Sequence, residues 1–181
     1  MESETKHYAH VFERLGRHVL VQLGELPEIA SRWPLPLPDG DSLFRRAVRL
    51  VEESAFWVLQ VIGVQDQLYD QGVEEKMGGT LADLALLYES WFSALHQLLN
   101  SLPDASLDQP FNVPPAYQDL FDGETATLRA CLLYALGQYA MQVGHIEFIC
   151  QLFADGERVL IEVNEQIQDS MLAVSQPGDY S

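Results

Sequence analysis

The chain has 181 residues, 48% hydrophobic and 20% charged, so it can bury a core as one domain and disorder is not its default state. Lys and Arg number 10 against 27 Asp and Glu, a formal charge of −17 that repels a phosphate backbone and argues against direct nucleic-acid binding. The one dense basic cluster, Arg45, Arg46 and Arg49, is followed at once by Glu52 and Glu53 and makes a poor nucleic-acid footprint.

The first expected helix runs from about His7 to Leu26, where Phe12, Leu15, Val19, Leu23 and Leu26 follow helical spacing. Pro27 ends it, lacking the amide the next turn needs. Trp33-Pro-Leu-Pro-Leu-Pro-Asp-Gly40 reads as a linker, because alternating prolines favour extended chain. The second helix spans about Ser42 to Ile62, with Asp41 or Ser42 as N-cap and Gly63 as the stop. Val64 to Gly79 is polar and glycine-rich and reads as a loop.

The third helix spans about Thr80 to Asn100, and Thr80 with Asp83 resembles a capping box. Leu81, Leu84, Tyr88, Phe92, Leu95 and Leu99 form its apolar face. Pro103 to Gly123 is a long connection, with a short helix over Pro115 to Phe121 that starts on proline. The fourth helix runs from about Glu124 to Phe153 and breaks at Asp155-Gly156. A final amphipathic helix follows over Glu157 to about Val174, and Ser175 to Ser181 is expected to be a loose tail. No strand alternation stands out. The expected fold is all-α, a single domain over 1–174 with four main helices and an additional C-terminal helix.

Cys131 and Cys150 lie inside apolar helical runs and read as reduced, buried thiols. The opening residues carry no apolar signal core, and no apolar run approaches the roughly 18 residues of a membrane span. The expectation is a soluble, cytoplasmic protein without membrane or nucleic-acid partners.

Leu133 to Ile149 is apolar nearly all round, yet carries Gln138, Gln142 and His145 within about 60° of one another on a helical wheel. A buried, unpartnered amide costs about 1–3 kcal/mol, so the stripe is either a site or a satisfied core network.

Two segments resemble the DinB/YfiT-like superfamily of four-helix proteins: Ser42-Leu-Phe-Arg-Arg-Ala-Val-Arg-Leu-Val-Glu-Glu-Ser-Ala-Phe-Trp57 and Gly137-Gln-Tyr-Ala-Met-Gln-Val-Gly-His-Ile146. Trp33-Pro34 is similar to the family's link before the second helix. The resemblance implies an up-down four-helix bundle, often homodimeric, and in metal-binding members a His triad with one residue on the second helix and two, four apart, on the fourth. The matching positions are Arg49, Gln138 and Gln142. A glutamine amide is a weak neutral ligand, and arginine offers no lone pair and sets a fixed positive charge where a cation would sit. The resemblance therefore implies a bundle without the family's metal; no cofactor is expected, and thiol-transferase or hydrolase chemistry does not carry over.

Arg49 has two readings. It lies opposite the apolar direction of its helix, beside Glu52 and Glu53, as an exposed ion pair would; the family alignment places it at the mouth of the pocket. In the pocket it would hold, with Gln138 and Gln142, a small anion. His145 reads as a core or interface hydrogen-bonding residue, and Cys131, seven residues before Gln138, lines the same face without an adjacent base. His7 and His10 precede Glu13, but a helix terminus is a poor metal cage; His18 and His96 read as isolated polar-face residues. Trp57, Trp91, Phe56, Phe92 and Tyr88 read as core. Three functions follow: a metal-free protein binding a small molecule in the pocket of the bundle, a non-catalytic homodimer with a stress-related interaction role, or a metal enzyme using other ligands such as His145.

Overall fold

A computed structural model describes residues 3–32, 34–35, 40–62, 79–121 and 123–174. The expected Gly63 stop, the Val64–Gly79 loop up to Gly79, most of the Trp33–Gly40 linker and the Ser175–Ser181 tail lie outside the described residues.

Helix α1 spans Glu4–Gly24. It starts earlier than apolar spacing suggests because Ser3 caps it, accepting a hydrogen bond from the Lys6 amide at 3.3 Å. Its core side runs Thr5, Tyr8, Phe12, Gly16, Val19 and Leu23, at steps of three and four that keep one face inward, with Ala9 buried beside them. A short α2, Glu28–Arg32, follows Pro27. Helix α3, Leu43–Ala55, is capped by Ser42, which accepts from the Arg45 amide at 3.2 Å. The chain continues as a π-helix over Phe56–Ile62. Ser54 precedes that change, its buried hydroxyl donating to the Leu50 carbonyl at 2.7 Å and to the Val51 carbonyl at 3.1 Å, a back-bond of the kind that bends helices.

Helix α4, Leu81–Ser101, opens on the capping box expected from its sequence. Thr80 Oγ1 accepts from the Asp83 amide at 3.1 Å, and Asp83 Oδ2 accepts from the Thr80 amide at 3.0 Å. Two 3-10 turns, Asp104–Asp108 and Pro115–Leu120, and two short strands, β1 at Pro110–Asn112 and β2 at Thr125–Thr127, fill the connection to the last helix. The strands are antiparallel, with Phe111 opposite Ala126. They correct the sequence expectation: three-residue strands are too short to display alternation.

Helix α5, Leu128–Val174, is one continuous helix of 47 residues. It starts after β2, where Thr127 Oγ1 accepts from the Ala130 amide at 3.2 Å. The expected break at Asp155-Gly156 is absent, and the C-terminal helix is the continuation of the fourth rather than an addition to it. One internal glycine costs a helix only about 1 kcal/mol, too little to end it.

The five α-helices and one two-stranded ribbon among the described residues make the chain predominantly helical. No helix among those residues is long and apolar enough to cross a membrane. Helices α1 and α3 each pack against both α4 and α5. Trp91, Tyr88, Tyr139, Phe12 and Leu95 are the heart of the core. Three polar ties fix the helices in register. Tyr88 donates its hydroxyl to the Ala47 carbonyl at 3.0 Å, joining α4 to α3. Thr5, fully buried, donates its hydroxyl to the Leu102 carbonyl at 3.2 Å and its amide to Asp104 Oδ1 at 3.2 Å, joining the start of α1 to the end of α4. Arg129 pairs with Asp108 at 3.1 Å and with Glu4, clamping the start of α5 to both.

Candidate functional site

The polar stripe of α5 is placed by the packing of its neighbours. Leu128, Cys131, Leu132, Ala135, Tyr139, Val143, Ile146 and Cys150 are buried and define the core face. At 100° per residue, Gln138 and Gln142 fall on the flank of that face and His145 further round. Accordingly, both glutamines are half-buried and His145 is exposed. The reading of a polar stripe buried on all sides is therefore corrected, and so is the core role expected of His145. The helix is apolar all round because it carries two apolar faces; the described residues pack on one, while Leu133, Met141, Phe148 and Leu152 on the other are exposed.

Arg49 stands on α3 with 47% of its side chain exposed, as the periodicity of its helix predicts. Its ion-pair partner is Asp41 rather than Glu52 or Glu53 of the simplest reading. The Asp41 side chain is 4% exposed and also meets Arg45 Nε at 3.3 Å. Two of the three arginines in the basic cluster are thus turned onto one buried carboxylate. Glu53, one turn beyond Arg49, keeps an exposed surface, but partial loss of water pushes its carboxyl above the usual range; the Arg49 charge pulls it partly back. The Tyr134 hydroxyl is pushed up by burial and then by the neighbouring Tyr117 and Glu53. The seam between α3 and α5 thus brings Arg49, Glu53 and Tyr134 into one electrostatic neighbourhood, with Gln138 one turn beyond Tyr134.

An aromatic cluster closes the end of this seam. Trp57 lies 4.6 Å from Tyr117, 5.1 Å from Tyr134 and 6.1 Å from Phe121, ring centre to ring centre and edge to face. The π-helix after Ala55 is what presents Phe56 and Trp57 here, since an extra residue in the turn rotates the following side chains.

Both cysteines are free and buried. Burial pushes the Cys131 thiol to about 12, and burial together with the Glu25 and Glu147 charges pushes Cys150 to about 11. Neither is a thiolate near neutrality, which excludes them as ready nucleophiles. A disulfide-exchange reagent at pH 7.5 is expected to modify neither thiol in the native protein over the minutes in which it titrates both after unfolding. Rapid native reaction at Cys131 would show that the site opens locally.

A second cluster lies on the α1–α4 seam and was missed by sequence reasoning. Glu13 Oε2 accepts from His96 Nε2 at 2.7 Å, and the His10 and His96 rings stand 5.1 Å apart, edge to face. The His96 hydrogen bond, then that from Arg17, holds the Glu13 carboxyl below its usual range against the opposing effect of burial. His7, paired with His10 in the sequence reading, is exposed and outside this cluster. No signal in the sequence joins residue 96 to residues 10 and 13; only the packing of α1 on α4 does. His18 meets Glu147 at 3.5 Å as a surface pair.

No protein-family model matches the sequence, and no curated protein or solved structure matches it.

Proposed function

We propose that this chain is a DinB/YfiT-like helical bundle that acts by association, pairing as a homodimer through the outer face of α5. The observation that supports it is an uncharged stripe opposite the core face. Leu133, Met141, Phe148 and Leu152 are 51%, 46%, 59% and 55% exposed. Gly137 and Gly144 lie on the same stripe with open space where a Cβ would project, so a partner helix can approach closely. The stripe carries no charged residue in a chain whose formal charge is −17. Over Leu133 to Leu152 it is roughly 30 Å long, about the span that a standard interface of roughly 800 Å² per partner requires once its flanks contribute. A two-fold pairing would lay this stripe against the same stripe of a second copy, with Gln138, Gln142 and His145 as a polar rim along one edge.

Sedimentation of the wild-type chain is expected to give a dimer at micromolar concentration. Phe148→Asp, which puts an unpaired carboxylate from each copy into the dry stripe, is expected to weaken it at least a hundredfold with unchanged helicity by circular dichroism. A wild-type monomer at ~10 μM, or an equally tight Phe148→Asp dimer, would refute the reading.

A second reading, a small carboxylate held at the α3–α5 seam, is favoured by the half-exposed Arg49 on α3 and the half-buried Gln138 and Gln142 on α5. It requires the ligand to displace Asp41 from Arg49. Thermal shift against small carboxylates, lost in Arg49→Met, separates it from the dimer reading.

A further inference from the structure

We propose that His10, Glu13 and His96 form a site for a divalent transition-metal ion of the zinc, cobalt or nickel class, bridging α1 and α4. The site is distinct from Arg49, Gln138 and Gln142, and independent of the outer face of α5. One nitrogen from each imidazole and one oxygen of Glu13 all lie within 4.8 Å of one another. An ion about 2.0–2.1 Å from each donor needs donors about 3.0–3.4 Å apart. The Glu13–His96 contact of 2.7 Å has only to open slightly, and the remaining distances, none above 4.8 Å, have to close by an amount within the reach of side-chain rotation.

The surroundings prepare the donors. Glu13 and Arg17 are one turn apart on α1, and Arg17 Nε donates to Glu13 Oε1 at 2.8 Å. That bond occupies one carboxylate oxygen and leaves Oε2 turned to the imidazoles. Arg17 is itself fixed from α4, where its two terminal nitrogens donate to Glu89 at 2.7 and 3.2 Å and its guanidinium stacks 5.1 Å from the centre of the Phe92 ring. The six residues occupy i, i+3 and i+7 on each helix: His10, Glu13 and Arg17 face Glu89, Phe92 and His96. Hydrogen bonding behind a metal-ligating carboxylate orients it and preserves its basicity.

Charge favours a cation at this spot. Two carboxylates surround one guanidinium, the imidazoles are neutral when they ligate, and the cluster is left one negative charge in excess. This is the reverse of Arg49, whose fixed positive charge opposes a cation beside it. Two imidazoles and one carboxylate select a borderline transition ion over magnesium or calcium, which prefer all-oxygen shells. His10 is exposed, and the Glu13 and His96 side chains are 24% and 25% exposed, so the remaining coordination positions face water.

The test uses the full chain without an affinity tag, titrated with Zn²⁺ against a chromophoric chelator and with Co²⁺ followed by its visible absorption. One equivalent per chain is expected, with a melting temperature raised by about 5 °C or more at a hundredfold excess over Kd. His96→Ala and His10→Ala are each expected to weaken binding at least tenfold and to remove the Co²⁺ band, while His7→Ala leaves both unchanged. His10 is on the surface, so its variant keeps the test valid should His96→Ala disturb folding. Absence of stoichiometric binding at a Kd below ~10 μM, or binding that survives His10→Ala and His96→Ala, would overturn the proposal. Neither result bears on whether α5 mediates a dimer, which sedimentation reads separately.

Discussion

Gly16→Val is expected to lower stability by about 3 kcal/mol, a melting-temperature loss of roughly 10 °C in a chain of this size. A Cβ built on Gly16 would stand 2.5 Å from Tyr139 Oη and 2.8 Å from Phe92 Cζ. Both rings are held: Tyr139 is 1% and Phe92 3% exposed, and Tyr139 also packs edge to face on Phe12 at 5.3 Å. The glycine therefore sets how closely α1 meets α4 and α5, and any side chain there must push the core apart. Gly16→Ala isolates the effect. Helix propensity alone would stabilise by about 1 kcal/mol, so a net loss measures the clash.

The Tyr139 hydroxyl supplies the partner variant. Burial pushes its titration up and the Trp91 indole pulls it partly back, yet neither atom completes a hydrogen bond of good geometry. Tyr139→Phe is therefore expected to cost little by itself, because no made bond is lost. Combined with Gly16→Ala it removes the nearest contact, and chemical denaturation should show the pair losing at least ~1 kcal/mol less than the sum of the singles. Strict additivity would mean that the hydroxyl is not what Gly16 makes room for.

Local signals in the sequence carried much of this architecture. Phe12, Val19 and Leu23 mark the inner face of α1, and Leu84, Tyr88, Phe92, Leu95 and Leu99 that of α4, because burial on one side imposes a helical period. Thr80 and Asp83 announce the start of α4 because a capping box is complete within four residues. Gly16 was silent: a missing side chain has no hydropathy, and its importance comes from Phe92 and Tyr139, far away in the chain.

Helix α5 misled for a different reason. Leu133, Met141 and Phe148 lie opposite Tyr139, Ile146 and Cys150, and two apolar faces on one helix blur the period that would separate covered from uncovered. The polar residues between them then look buried when they are only flanking. For Arg49 the period gave the correct exposure while the partner, Asp41, lay before the N-cap, outside the i, i+4 pairs by which helix charges are read. His96 needed a tertiary contact. A histidine isolated along the chain becomes one of a cluster only when α4 is laid against α1.

Trp57→Ala is expected to cost about 4 kcal/mol, within the usual range for emptying a buried aromatic site. The loss should be unevenly distributed. Trp57 is 7% exposed and belongs to the common core, but its aromatic neighbours, Tyr117, Phe121, Tyr134 and Phe56, all lie outside α1 and α4. Tyr117 and Phe121 belong to the connection between α4 and α5, whose backbone bonds close short strands and single turns and tie it to itself rather than to the long helices. Removing the indole should free this connection before the helices separate. Hydrogen exchange is the discriminating measurement: amides of 113–127 should lose protection by a larger factor than those of α1 and α4, whose opening follows global unfolding. Trp57→Phe, keeping an edge-to-face partner for Tyr117, should recover more than half of the loss. An equal loss of protection everywhere would mean that Trp57 supports the whole core alike. A cost below ~1 kcal/mol would mean that the cluster is loosely packed, and with it the end of the α3–α5 seam that the small-carboxylate reading needs closed.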